Sequence, residues 1–242
     1  MADIYLAGSG IRGALQFTRE TIQALRVCRV VFVLHDDLMV HDYVRSLCSD
    51  VRDVSDLYAG GGPRADVYRA IAERLIGEAG RGQPVALVAH GHPLFLVSAS
   101  EYALALARER GLTIAILPSV SSFDTVLSDL MIDYGYALQM FDATTLLRLS
   151  PRLNANVPTL VFQLTTLLRE EVMREEPGPE ILEPLVEFLL RVYPSGHRCK
   201  IVHSGAHLLE PSTVVDTFLA DLASDERVEL WRRPTLYVPA VG

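Results

Sequence analysis

Arg64 and Tyr68 stand four residues apart, immediately after Pro63. Proline suits the start of a helix, so the two side chains are expected one turn apart on one face. A guanidinium beside a phenol favours the phenolate. A free tyrosine titrates at about 10 and is protonated at neutral pH, so such help would make Tyr68 a candidate general base. Tyr58 precedes the pair across the flexible Gly60-Gly61-Gly62 loop. A surface arginine stacked on a tyrosine has the same spacing, and spacing alone leaves both readings open.

Three other clusters carry chemistry-bearing residue types. Gly8-Ser9-Gly10-Ile11-Arg12-Gly13 matches G-x-G-x-x-G, and Asp36 follows about 20 residues on, as in a dinucleotide fold. Against that reading, the helical stripe begins near Thr18, so the glycines line a loop and deliver no helix N-terminus to a pyrophosphate. His90-Gly91-His92 with His35-Asp36-Asp37 has the residue types of a metal site. Gly91 and Pro93 make that segment a turn, so no metal is expected there. Ser121 and Ser122 open a helix as candidate N-caps, and Ser121 lacks the G-x-S-x-G elbow of a hydrolase nucleophile.

The elements that must position these residues show as strand and helix signals in alternation. Ile4–Ala7, Val30–Leu34, Val85–Ala89 and Ile114–Leu117 are short apolar runs, each ended by a turn. Helical stripes are expected over 65–79 and 98–110, the latter ended by Gly111. Apolar strands without polar alternation imply burial on both faces, hence a parallel α/β sheet with helices outside. In the second half, Thr159–Leu164, Ile201–His203 and Thr235–Val238 read as strands, and 179–193 and 212–223 as helices. Met131–Tyr136, with Gly135, reads as a hinge dividing lobes 1–131 and 132–242. In open α/β sheets ligands bind at the carboxyl edge of the strands, and every cluster above follows a strand.

The composition fits one large or two small α/β domains. Of 242 residues, 50% are hydrophobic and 21% charged, which excludes wholesale disorder. Lys plus Arg is 22 and Asp plus Glu is 30, a net charge of −8 that argues against general nucleic-acid binding. Cys28, Cys48 and Cys199 are odd in number, widely spaced and without Cys-x-x-Cys, as expected in a reducing compartment. The N-terminus lacks a basic region and a long apolar run, and no apolar stretch approaches the roughly 18 residues of a membrane span. A cytoplasmic protein is expected.

Taken together, these segments resemble the tetrapyrrole methylase superfamily, the class III S-adenosylmethionine (SAM) methyltransferases. The resemblance rests on Gly8-Ser9-Gly10, Gly91-His92-Pro93-Leu94-Phe95 and Leu117-Pro118-Ser119-Val120-Ser121-Ser122, in the family's order and over almost the whole chain. It implies two α/β lobes with SAM in the cleft between them, and a homodimer. Within the superfamily the chain is most similar to the borosin group, which methylates backbone amide nitrogens of peptides. Asp56-Leu57-Tyr58, Pro63-Arg64 and Tyr68 resemble the borosin catalytic segment, and His90-Gly91-His92-Pro93 its Tyr-Gly-His-Pro. Asp124, Asp129-Leu130, Ala143-Thr144, Phe162-Gln163, His203 with Gly205-Ala206, and Thr235–Pro239 have counterparts as well. His90 departs from the borosin tyrosine, and Ser119 stands where the family usually has glycine.

The resemblance implies Tyr58, Arg64 and Tyr68 as catalytic residues. It places SAM contacts at Gly10, His92, Val97, Ser98, Ser121, Ser122, Ala143, Gln163 and Leu236. Borosins often carry their substrate peptide as a C-terminal extension. Only Ala240, Val241 and Gly242 follow Pro239, so a separate precursor peptide is expected as partner. Two rival readings are a small-molecule methyltransferase of the tetrapyrrole type and a catalytically idle SAM-binding protein.

Overall fold

The apolar runs of the first half form a five-stranded sheet in the computed structural model, which describes residues 1–173, 175–207 and 209–242. The strands are β1 (Ile4–Gly8), β2 (Val30–Leu34), β3 (Val51–Asp53), β4 (Val85–Ala89) and β5 (Ile114–Leu117). Their order is β3-β2-β4-β1-β5, and every pairing is parallel. Register aligns Ile4 with Val85 and Ile114, and Val30 with Val85.

The lack of polar alternation has its expected cause. Ile4, Leu6, Val30, Phe32, Val85 and Leu87 point into one core, while Ala7, Val31, Val33, Ala86 and Val88 point into another. Each large aliphatic side chain so buried contributes about 1.5–3 kcal/mol. Helices α3 (Arg64–Ala79) and α4 (Ser98–Glu109) cover the first face. Helices α1 (Arg19–Val27) and α2 (Leu38–Arg45) cover the second. Their starts are chemically set. Thr18 accepts from the Thr21 N–H at 3.1 Å, and Asp37 from the Met39 N–H at 2.8 Å. Gly111, at φ +66°, closes α4.

The chain divides into two compact units. The first comprises 1–124, 170–172 and 206–209; the second comprises 125–169, 173–205 and 210–242. The division falls within α5 (Ser122–Leu130).

The second unit holds β6 (Gln139–Asp142), α6 (Ala143–Leu149), β7 (Thr159–Phe162), α7 (Glu183–Leu189), β8 (Arg198–His203), β9 (Thr213–Phe218) and β10 (Thr235–Val238). Its sheet runs β6-β7-β10-β8-β9, with β6 and β7 parallel and the remaining pairs antiparallel. Its core gathers Leu146, Val161, Leu185, Leu189, Ile201 and Leu236. Two expectations change here. Residues 213–218 form a strand paired with β8, where a helix over 212–223 was expected. Thr213, Val214, Val215 and Thr217 are β-branched, and a pleated edge accommodates them better than a helix does. The expected helix over 179–193 is a 3₁₀ turn at Pro179–Leu182 followed by the short α7.

Candidate active site

Because all five strands of the first sheet are parallel, their carboxyl ends lie on one edge. Across that edge the loops follow in the order Val54–Pro63, His35–Asp37, His90–Val97, Ser9–Arg12 and Pro118–Ser121. Such an edge is where open α/β sheets take their ligands.

At the β3 end, a 3₁₀ turn at Ser55–Tyr58 carries Tyr58. The chain then passes Gly61 and Gly62, both left-handed at φ +68° and +86°, a conformation that glycine alone adopts without strain. Pro63 precedes α3 in extended conformation. The segment Glu170–Val172 runs beside this loop and fixes it. The Arg64 N–H donates to the Glu170 carbonyl at 2.8 Å, and the Val172 N–H to the Gly62 carbonyl at 2.9 Å. Arg74 reaches back from α3 to Asp56 at 3.1 Å.

Held in this way, Arg64 donates to the Tyr68 hydroxyl oxygen from Nε at 2.9 Å and from Nη2 at 2.7 Å. The rings of Tyr58 and Tyr68 meet edge to face, with centroids 6.4 Å apart. Both tyrosines are half-buried against the core under α3. The three residues that spacing alone left ambiguous thus form one cluster.

The glycine turns meet at the centre of the edge. The Ser9 N–H donates to the Ala89 carbonyl at 2.9 Å, and Gly10 and Gly91 bond each other's backbone. Gly10 and Gly91 are left-handed, at φ +77° and +74°. A Cβ on Gly8 would collide with the Gly91 carbonyl and come within 2.7 Å of the Ser119 Cβ. The Gln16 side-chain oxygen accepts from the Ile11 and Arg12 N–H groups at 2.7 and 2.9 Å. Those donors are therefore already engaged, and the helix that follows begins only at Arg19. Neither feature suits a dinucleotide pyrophosphate.

His92 accepts from the Leu94 N–H through Nδ1 at 3.1 Å. Leu96, left-handed at φ +61°, turns the chain into Val97, which flanks α4, and Ser98 is the first residue of that helix. Ser121 donates its hydroxyl to Asp124 at 2.6 Å and its N–H to the same oxygen at 2.7 Å. Ser122 begins α5. The Ser119 hydroxyl is buried without a hydrogen-bond partner.

In the second unit, Ala143 is fully buried at the start of α6, and Asp142 caps that helix through the Thr145 N–H at 2.7 Å. Gln163 ends β7 in a left-handed conformation at φ +60°, an uncommon state for a non-glycine residue. Leu236 is fully buried in β10 and aligned with Val161 and Ile201.

Two relationships carry no signal in the sequence. One is the Glu170–Val172 strap, more than 100 residues downstream of the loop it holds. The other is a hydrogen bond between His35 Nε2 and His90 Nδ1 at 2.9 Å, with ring centroids 4.8 Å apart. Among the described residues, no group of three or more His, Cys, Asp or Glu is arranged to hold a metal ion. All three cysteines are buried, and burial pushes the Cys28 and Cys199 thiols up to about 12, so neither is a thiolate nucleophile at neutral pH.

Solved structures share this architecture. Uroporphyrin-III C-methyltransferase from Thermus thermophilus superposes with a TM-score of 0.65 at 22% identity, covering 98% of this chain and 93% of its own. A cobalt precorrin-4 methyltransferase superposes with a TM-score of 0.68 at 14% identity, covering 98% and 94%. The fold is thus that of the class III methyltransferases. The model of the Tetrapyrrole (Corrin/Porphyrin) Methylases matches residues 3–222, and the chain belongs to that family.

Curated relatives include a methyltransferase/ribosomally synthesized type II borosin cyclic peptide precursor from Phlebiopsis gigantea. It is 29% identical over 97% of this chain and 42% of its own length. A type I counterpart from Mycena rosella is 29% identical over 97% of this chain and 59% of its own. The chain therefore spans about half the length of these relatives.

Proposed function

We propose that this protein is a SAM-dependent methyltransferase that N-methylates backbone amides of a ribosomally made peptide. The observation that carries the reading is the pair of Arg64 N–H donors converging on the Tyr68 hydroxyl, with Tyr58 alongside. The borosin names of the relatives support it.

The residues present fit a polar ligand at the sheet edge. The Ser119 hydroxyl is buried there without a partner, beside two left-handed glycines whose backbones meet. Gly10, His92, Val97, Ser98, Ser121, Ser122, Ala143, Gln163 and Leu236 are carried over from the family resemblance as the proposed SAM contacts. When bound, SAM supplies an electrophilic methyl group on a sulfonium.

The chain's own residues must make the amide reactive. A peptide nitrogen is a poor nucleophile because its lone pair is delocalised into the carbonyl. In this mechanism the base is the phenolate form of Tyr68, whose oxygen takes the amide proton and becomes the neutral phenol as the amide nitrogen attacks the methyl group. Arg64 holds that oxygen by two N–H bonds, fixing its direction. Tyr58 donates to the amide oxygen, where negative charge gathers as the nitrogen loses its proton. The Glu170–Val172 strap keeps Arg64 in register for this step.

The peptide is assigned as a separate chain. A homodimer is part of the reading, supported by the exposed Leu15, Leu38 and Met39, which lie on the Gly13–Gln16 turn and α2, two elements of the first unit that pack together. So is a reducing, cytoplasmic setting, supported by three buried thiols without disulfides. No helix among the described residues is long and apolar enough to cross a membrane.

The test is mass spectrometry of a candidate precursor peptide co-expressed with this chain. Mass increments of one CH₂ each, mapped to backbone nitrogens by fragmentation, support the reading. Methylation only of a peptide fused to the chain would overturn the separate-chain part. Methylation of a porphyrinogen and of no peptide would overturn the substrate class.

A further inference from the structure

The strap and the loop it holds form a short antiparallel ribbon, Gly62–Arg64 against Glu170–Val172. The two bonds that join it, Arg64 N–H to Glu170 carbonyl and Val172 N–H to Gly62 carbonyl, flank the bridge between Pro63 and Glu171. In an antiparallel pair, residues opposed in this way turn their own N–H and carbonyl groups outward, one residue to each edge of the ribbon. Pro63 and Glu171 therefore define its two edges.

The edges differ. Pro63 has no N–H, and its carbonyl already accepts from the Asp66 and Val67 N–H groups at 3.1 and 3.4 Å as α3 begins. That edge is closed. Glu171 is exposed, and its N–H and carbonyl bond no other backbone group among the described residues. A residue with an unpaired donor and acceptor on one edge is a template for one further strand.

The position of the open edge selects its occupant. The ribbon is bonded through the N–H of Arg64, the residue whose side chain grips Tyr68. Methylation of a backbone amide requires an extended peptide held in register with that pair. Backbone bonds set such a register without regard to side-chain identity. We propose that Glu171 docks the substrate peptide by strand addition, exchanging two backbone hydrogen bonds with one residue of it. The proposal rests on the peptide N-methyltransferase reading. The reacting amide must give its N–H to Tyr68, so the docked residue, whose N–H goes to the Glu171 carbonyl, is a different one. An N-methylated residue has no N–H to give, so the edge takes only unmethylated positions.

The test uses the full-length protein and a synthetic copy of the segment methylated on co-expression, with each amide in turn replaced by an ester. The ester keeps the chain's shape and lacks the N–H. Binding is measured by calorimetry with S-adenosylhomocysteine present, so that no turnover occurs. The expected result is a peptide Kd raised about fivefold by the ester at one position outside the methylated amides, the effect of one lost neutral hydrogen bond. An N-methyl group at that position should weaken binding at least as much. No sensitive position outside the methylated amides would overturn the proposal.

Glu171→Pro removes the outward N–H and leaves the two bonds of the ribbon in place. It should raise the peptide Kd by about fivefold with SAM affinity retained. The sensitive ester should cost less in Glu171→Pro than in the wild type, because the two bonds form together. Independent costs would place the sensitive amide elsewhere and overturn the docking role. A lower kcat with an unchanged peptide Kd would do the same, leaving Glu171 a support for Arg64. A dimer that Glu171→Pro converts to a monomer in light scattering, with peptide Kd unchanged, would give the edge to a second copy of the chain and not to the peptide. Wild-type protein that methylates no peptide would overturn the reading beneath the proposal.

Discussion

Nε and Nη2 of Arg64 lie 2.9 and 2.7 Å from the Tyr68 hydroxyl oxygen, so one planar fork grips one atom. Tyr68→Phe keeps the ring and removes only that oxygen. Under the proposed mechanism, methylation should fall by roughly 10²–10⁴, the range for loss of a general base, with SAM affinity unchanged. Arg64→Lys keeps the charge and loses the fork, so it should be slow at neutral pH and recover partly in alkaline buffer. Near-normal rates in both variants would reduce the pair to a surface stack.

The strap offers a separate test of positioning. Val172→Pro deletes the N–H that donates to the Gly62 carbonyl and leaves Tyr58, Arg64 and Tyr68, all more than 100 residues away in sequence, unchanged. A displacement of Arg64 of about 1 Å can cost up to 10²-fold in rate. The expected outcome is a kcat reduced by about tenfold or more with SAM affinity retained. An unchanged kcat would show that α3 alone holds Arg64.

Much of the first unit was legible because its strands are continuous apolar runs and its helices have capping residues and closing glycines. Val30–Leu34 and Val85–Ala89 form their strands without a one-residue error, since burial on both faces leaves little choice of residue. The second unit was harder because its strands are short and half-exposed. Val214 and Phe218 are exposed on the edge strand, and the spacing of Val214, Val215, Phe218, Leu219 and Leu222 also satisfies a helical stripe. Pairing with β8 decided between the two, and pairing is not a local property. The same reason hid the strap and the His35–His90 bond. Each joins residues far apart in sequence, through backbone groups in one case and through ring nitrogens of a common residue in the other.

Gly8 and Gly60 should respond oppositely to the same substitution. A Cβ at Gly8 meets the Gly91 carbonyl and Ser119, whereas one at Gly60 meets nothing within 4 Å. Gly8→Ala should cost about 1–3 kcal/mol, the usual price of overpacking, and weaken SAM binding by displacing the Gly91 turn. Gly60→Ala should be neutral or stabilise by about 0.4–1 kcal/mol. Urea unfolding of the two variants separates them, and equal effects would contradict the close approach of the turns.

Glu78, at the end of α3, accepts from Arg29 at 2.8 Å on one oxygen and from Arg52 at 2.9 Å on the other. The Arg29 hydrogen bond, with Arg52 beside it, holds the Glu78 carboxyl down at about 2. A carboxyl lowered in the folded state stabilises it above the unfolded value and loses that contribution as pH falls through the folded one. Glu78→Gln should therefore melt below the wild type at pH 7. The gap should close between about pH 4.5 and pH 2. A gap independent of pH would place the effect in packing.

His203 is 1% exposed at the end of β8, and both its ring nitrogens are buried, with the Arg227 backbone as a polar neighbour. Burial lowers its proton affinity, and the nearby Arg232 guanidinium lowers it further, against a smaller opposing pull from Glu229. The folded protein therefore holds this ring neutral to lower pH than the unfolded chain does. By linkage, its contribution is fully present above the ordinary histidine value of about 6.5 and is lost as pH falls through the lower folded value. Stability measured by urea unfolding should be flat from pH 8 to pH 7 and then decline, as unfolding gains a proton that the fold refuses. His203→Gln has a similar polar reach and no titration in this window, so it should be less stable than wild type at pH 8 and lose less on acidification. A decline of equal steepness in His203→Gln would assign the acid sensitivity to other groups and leave His203 a packing residue.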